Sequence, residues 1–350
     1  MASTITIAGR KIGPGQPVYI VAEMSANHCG DFMQADRIVR AAAAAGADAI
    51  KLQTFAPDTI TMNSRQNGFM LGAGSPWAGR SLYDLYKEAA MPWGWQPKLQ
   101  KIADEEGITL FSTPFDTTAV DFLEEMNVPC YKVSSFEIVD IPLLQKIGAT
   151  GKPVILSTGM ASFAEISEAV DALTDYGTEE IALLKCVSAY PAEPSDMNLR
   201  TLPHMTAAFN VPVGLSDHTL DSATSVVAVS LGACIIEKHI KLSAAEEGPD
   251  AAFSLDPEDF QKMVAMIRKV GTLLGSVLYG PTQTEKKNLA FRRSLYVVRD
   301  IKAGETFIPE NVRSIRPGYG LHTRHYSRVL GKVAEVSVSA GTPLEWRMVG

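Results

Sequence analysis

Two neighbouring stretches decide the fold: VPVGLSDHTL, residues 211–220, and ACIIEKHIKL, residues 233–242. Each is a short apolar run that turns polar at its end and delivers a histidine there, His218 in the first and His239 in the second. A bounded apolar run of this length is the pattern of a strand buried on both faces, as in a parallel sheet. Six more runs of the same kind precede them, at residues 18–24, 48–54, 108–113, 130–135, 153–158 and 181–186. Helix-like segments lie between. One covers 34–46 and stops at Gly46, another opens with Ser162 and Glu165 at capping-box spacing, and a third starts at Asp256 with Pro257 in its first turn. Eight β–α repeats over about 270 residues fit an α/β (β/α)8 TIM barrel better than an open doubly wound sheet.

The pattern changes near residue 275. GSVLYGPTQTEKKN, residues 275–288, is a polar stretch with glycine and proline, and short strand-and-turn segments follow it. The expected organisation is a barrel over 1–280, a linker over 281–290 and a small C-terminal β-rich domain over 291–350. A unit of about sixty residues is marginal alone and is expected to pack on another surface.

Composition narrows the function. Hydrophobic residues make up 46% and charged residues 20%, the balance of a soluble globular chain. A formal charge of −7 argues against a nucleic-acid or anionic-membrane partner. No apolar run approaches the roughly 20 residues that span a bilayer, and the N-terminal stretch has no signal-peptide core. The four cysteines form no CxxC pair. A cytoplasmic location is the expectation.

Barrel enzymes place their chemistry at the carboxyl ends of the strands. Here those ends carry Glu23, Lys51 with Gln53, Thr113, Lys132 with Ser135 and Glu137, Ser157, and Ser188 with Tyr190. The last two carry Ser216 with His218, and Glu237 with His239. Lys51 and Gln53 are two apart and so face the same side of a strand. The spacing of His218 and His239 leaves two readings: facing ligands of a divalent ion such as Mn²⁺ or Mg²⁺, or two hydrogen-bonded barrel histidines. Lys51, Thr113, Lys132, Ser135, Ser157 and Ser216 together suit a compact anion carrying phosphate and carboxylate. GATGKP, residues 148–153, runs into a strand and ends in proline, so it is not a phosphate-binding P-loop. His28, His204, His322 and His325 read as structural or solvent-exposed.

VAEMSANHCG, AGADAIKLQTFAPDTIT, YKVSSFE, ILSTGM, VGLSDHTLD, IIEKHI, SLDPEDF and SIRPGYG together resemble the sialic-acid synthase family over nearly the whole chain. AEMSANH, KLQTFAPDTIT, FSTPFD, RRSLY and RPGYGLHTRHY are most similar to its pseudaminic acid branch, while the N-acetylneuraminate and legionaminate branches are the alternatives within it. The resemblance implies a transferase that condenses phosphoenolpyruvate with an N-acetylated amino hexose, in a metal-dependent barrel followed by an antifreeze-like SAF domain. It implies that His218 and His239 bind Mn²⁺, Co²⁺ or Mg²⁺, and that Lys51, Thr113, Lys132, Ser135, Ser157, Ser188 and Ser216 cradle phosphoenolpyruvate. Glu23, Gln53, Tyr190 and Asp250 match positions that handle the sugar, and Glu137 is a candidate base for the incoming water. Arg316 matches an arginine inserted into a neighbouring subunit's site, which implies a homodimer with a swapped C-terminal domain. Residues 61–86 are expected to cover the sugar. Two rivals remain at this level: a Schiff-base pyruvate aldolase using Lys132 or Lys185, and a non-catalytic carbohydrate-binding protein suggested by the C-terminal module.

Overall fold

The computed structural model describes residues 4–73 and 77–350. Its first element is a hairpin of two three-residue strands, β1 (Ile5–Ile7) and β2 (Arg10–Ile12). The eight apolar runs follow as β3 (Tyr19–Glu23), β4 (Ala49–Thr54), β5 (Thr109–Pro114) and β6 (Tyr131–Val133). Then come β7 (Val154–Ser157), β8 (Ile181–Cys186), β9 (Val213–Asp217) and β10 (Ile235–His239). All eight are parallel, and β10 pairs with β3 so that the sheet closes into a barrel.

The helices between them start where their side chains satisfy orphan amides. Asp31 accepts from the Met33 amide, so the first helix spans Phe32–Ala44, two residues earlier than its apolar period indicates. Ser162 and Glu165 cap reciprocally, and Asp256 accepts from the Asp259 amide ahead of the helix Pro257–Leu274.

Strand alternation sorts the core into two clusters. Ile20, Ile50, Leu52, Leu110, Val133, Leu156, Leu183, Leu215 and Ile236 face outward into the helix layer. Tyr19, Val21, Ala49, Phe111, Ile155, Ala182, Leu184 and Ile235 face inward at the N-terminal half of the barrel, where Ile5, Ile7 and Ile12 of the hairpin join them. The hairpin thus plugs the barrel floor with aliphatic side chains. Its turn carries Ala8 at φ 47 and Gly9 at φ 77, the positive pair a tight two-residue hairpin needs. Alanine at the first position disguises that turn in the sequence, and strands of three residues are too short for a periodic signal.

Contacts divide the chain into two units, Met1–Gly275 and Ser276–Gly350. The second is built on β11 (Ser294–Val297) and β12 (Val312–Ile315), an antiparallel pair with single-residue bridges around it. Leu295, Val297, Ile301, Phe307, Val312, Val329 and Leu344 form its own core.

Gly214 of β9 faces the barrel interior, where a Cβ would stand 2.4 Å from the Ile235 carbonyl oxygen and 2.6 Å from Leu184 Cδ2. Rigid backbone on one side and a packed side chain on the other leave no room to relax. Gly214→Ala should therefore lower unfolding free energy by about 1–3 kcal/mol, seen as an earlier denaturant midpoint. An unchanged midpoint would show that β9 and β10 are not packed this closely.

Candidate active site

The inward alternation that builds the aliphatic floor continues upward and changes chemistry. On β4 the inward set runs Ala49, Lys51, Gln53, and on β10 it runs Ile235, Glu237, His239. The register pairs Ser216 with Glu237 and Asp217 with Lys238. Ser216 and Glu237 turn inward and hydrogen-bond at 3.1 Å. Asp217 and Lys238 turn outward and form an ion pair at 3.0 Å with both side chains 0% exposed.

A cavity of about 370 Å³ opens at the carboxyl ends of the strands, within the range of small-molecule sites. Of the residues singled out in the sequence, all but Thr113, Ser188 and Arg316 line it. Thr113 stands behind Lys51 and accepts its Nζ–H at 3.2 Å. Ser188 stands behind Ser135, the two hydroxyls 2.8 Å apart. Arg316 is exposed in the other unit. Ile60, Leu71, Trp77, Leu82, Leu85 and Tyr86 form an apolar wall, largely from the 61–86 segment. Residues 74–76 of that segment lie outside the described residues. A larger cavity of about 580 Å³ lies at the opposite end, among Gly13–Val18, Pro212, Leu231 and Leu274. Among the described residues Arg268 is its one charged lining residue, and it is paired with Asp48.

The cavity floor holds two ammonium groups and two carboxylates in near-complete burial. Lys51 Nζ lies 2.6 Å from Glu23 Oε2 and 3.8 Å from Glu237 Oε1. Burial would lower Lys51, but the two carboxylates outweigh it and hold the ammonium above its ordinary value. Lys132 Nζ donates to Ser157 Oγ at 2.7 Å and to the Val133 carbonyl at 2.8 Å, and burial lowers it. Burial raises Glu23 against the pull of Lys51. For Glu237 burial is outweighed by Lys132 and Lys51, which keep it ionised. Burial also raises Glu137, which accepts from the Ser134 hydroxyl.

The two histidines sit side by side with ring centroids 5.3 Å apart, flanked by Phe253 and Tyr190. His218 Nδ1 lies 2.9 Å from the Val187 carbonyl, so it carries the proton and leaves Nε2 as a bare acceptor. His239 Nδ1 is buried with no hydrogen-bond partner. Burial lowers both rings, so both are neutral at pH 7. Two neutral imidazoles with unspent lone pairs fit a divalent cation. Among the described residues no set of three His, Cys, Asp or Glu gathers as ligands, so water or substrate would complete the shell.

Glu237 and Ser25 line the cavity without having been assigned a role from the sequence. Glu237 shares the parity of His239, a signal the alternation rule could have supplied. Ser25 follows β3 and has no such signal, because its place depends on the turn it makes. Lys185 turns outward from β8, donates to the Cys186 carbonyl and is absent from the cavity lining. His28 is buried away from the cavity against Trp95.

The outward pair yields a stability prediction. Lys238→Met strands Asp217 as a buried charge and should cost about 3–5 kcal/mol, while adding Asp217→Leu should recover much of it. Equal losses in the single and double variants, measured by chemical denaturation, would show that the pair does not act as a unit.

Comparisons with known proteins agree with this geometry. The NeuB family profile matches residues 38–279 and the SAF domain profile residues 292–350. The chain is 40% identical to pseudaminic acid synthase of Helicobacter pylori, covering 94% of this chain and 97% of that protein. It is 34% identical to N,N'-diacetyllegionaminic acid synthase of Legionella pneumophila, covering 96% of each. Among solved structures, N-acetylneuraminic acid synthetase of Leptospira borgpetersenii superposes with a TM-score of 0.73 at 31% identity, covering 83% of this chain and 96% of that one. A family profile over residues 38–279 and 40% identity along nearly the whole chain show that it belongs to the NeuB family, with a SAF domain at residues 292–350.

Proposed function

We propose that the chain is a pseudaminic acid synthase. It condenses phosphoenolpyruvate with 2,4-diacetamido-2,4,6-trideoxy-altropyranose and water, giving pseudaminic acid and phosphate. The observation that carries the reading is one cavity holding a two-lysine, multi-hydroxyl anion floor beside two neutral imidazoles and an apolar wall. Identity to a pseudaminic acid synthase at 40%, against 34% to a legionaminic acid synthase, favours that branch.

Lys132 with Ser157, and Lys51 with Thr113, hold the phosphate and carboxylate of the enol phosphate, chiefly by positioning and electrostatics. Carbon 3 attacks the open-chain aldehyde of the sugar, carbon 2 becomes electron-poor, and water adds there. The tetrahedral intermediate then loses phosphate by C–O cleavage. His218 and His239 would hold a divalent ion, Mn²⁺, Co²⁺ or Mg²⁺, whose Lewis acidity polarises a carbonyl oxygen. Glu137, raised by burial and lining the cavity, would accept the proton of the incoming water. Glu23, raised by burial beside Lys51, serves the sugar oxygens.

The proposal extends to assembly and location. Arg316 is exposed and makes no ion pair among the described residues, as befits a side chain that serves a second copy in a swapped homodimer. Four free cysteines suit a reducing cytoplasm, and among the described residues no helix is long and apolar enough to cross a membrane. One observation favours a second reading: the lowered Lys132 ammonium is what a Schiff-base aldolase needs. Borohydride trapping with pyruvate separates the two, since only the aldolase is modified covalently.

The deciding assay is phosphate release from phosphoenolpyruvate with a panel of N-acetylated hexoses. The diacetamido-trideoxy-altro sugar should be preferred; equal or better kcat/KM with N-acetylmannosamine would overturn the branch. Lys132→Ala should lower kcat/KM by about 10- to 100-fold, the worth of one charge-assisted hydrogen bond of roughly 1.5–3 kcal/mol.

Removing metal offers an independent check. Chelator should abolish turnover and Mn²⁺, Co²⁺ or Mg²⁺ should restore it, while His218→Ala or His239→Ala should stay inactive at ordinary metal levels. Full activity of either variant in chelator would exclude the two-histidine site.

A further inference from the structure

Ser25 is strained where it could have been relaxed. Its backbone sits in the left-handed region at φ 49, although it is 3% exposed and lines the cavity. In that conformation Cβ crowds the following carbonyl, so an L-residue keeps it only where something offsets the strain. Among the described residues five other non-glycine residues share it, Ala8, Cys29, Asn127, Asn198 and Asn210, and none of them lines the cavity. Three are asparagine, which tolerates the region. Glycine at position 25 would adopt it freely, and glycine is not there.

The hydroxyl is what glycine would lack. Ser25 Oγ donates to Asp250 Oδ2, and the Ala26 amide donates to the same oxygen at 3.2 Å. Gln53 Nε2 donates to Ser25 Oγ at 3.3 Å and to Glu23 Oε1 at 3.0 Å. Both N–H groups of Gln53 are therefore spent within the protein, and its Oε1 remains. Asp250 has one oxygen saturated by two donors, and its Oδ1 remains. Burial raises Asp250 to about 6, below pH 7, so the ionised, acceptor form predominates there. With Asp250 ionised, the cluster offers two acceptors to a cavity also lined by Leu71, Leu82 and Tyr86.

We propose that Ser25 is a specificity-determining residue that fixes Asp250 and Gln53 as paired acceptors for an acetamido N–H of the amino sugar, with the acetyl methyl on the apolar wall. An acetamido N–H buried without an acceptor is penalised, so the acceptor pair satisfies it, and the apolar wall adds a contact for the acetyl methyl that a hydroxyl cannot make. The proposal rests on the synthase reading above. Ser25 is a positioning residue here: it acts on the sugar through Asp250 and Gln53.

Ser25→Gly and Ser25→Ala test it, because glycine keeps the backbone without strain and so preserves the fold. The wild type is first ranked across the hexose panel, which tests the synthase reading separately; the variants are then compared on its preferred sugar and on a sugar with one acetamido group fewer. Both variants should lose about 10-fold in kcat/KM on the preferred sugar, and the ratio between the two sugars should move toward one by a similar factor. KM for phosphoenolpyruvate and its thermal-shift stabilisation of the protein should stay within about two-fold of wild type. An unchanged sugar ratio in the well-folded Ser25→Gly variant overturns the proposal, and so does an equal loss on both sugars with a raised KM for phosphoenolpyruvate. Asp250→Asn, which keeps the shape and removes the charge, should shift the ratio in the same direction.

Discussion

The register between β9 and β10 is the constraint on which the rest depends. It sets Ser216 against Glu237 on the inner face and Asp217 against Lys238 on the outer face. A slip of one residue would send Lys238 into the cavity and Glu237 into the helix layer. Asp217 and Lys238 are both fully buried, and Ser225 and Thr219 complete their hydrogen bonds. An ion pair removed from water gains little net stability, but it is satisfied in one register alone. The same register brings His218 and His239 to one height at the barrel mouth.

Above the aliphatic floor the barrel interior becomes a charge cluster. Lys51 pairs with Glu23 and lies near Glu237, so its buried ammonium stands among carboxylates. The hydroxyls of Ser157, Thr113 and Ser216 hold these groups at fixed distances. Fixed dipoles in a dry site need no reorganisation when charge develops, which is where such sites gain their rate.

The floor and the mouth divide the barrel's labour. Hairpin residues Ile5, Ile7 and Ile12 fill the N-terminal end with Tyr19, Phe111 and Ile155, giving the strands a rigid base. Gly214 lets β9 and β10 approach over Leu184, just below the polar layer. Above them Ser25, the second residue beyond β3, holds a left-handed backbone.

Local pattern made much of this protein legible. Eight strands, the caps at Ser162 and Asp256, the polar strand ends and the paired histidines all rest on periods of two or on spacings of a few residues, which the chain encodes within itself. The direction a strand residue faces is a local property, so Lys51, Gln53, Ser216 and His239 could be placed on one side before any contact was known. Which groups meet at 3 Å is not local. Thr113 and Ser188 stand behind the lysine and serine they support, Glu237 lies between two ammonium groups, and Ser25 meets Asp250 across 225 residues of chain. The hairpin plug escaped notice because three-residue strands joined through Ala8 have no periodic signature. Those arrangements are settled by barrel closure and strand register, which set the heights and neighbours of side chains whose facing the sequence alone had determined.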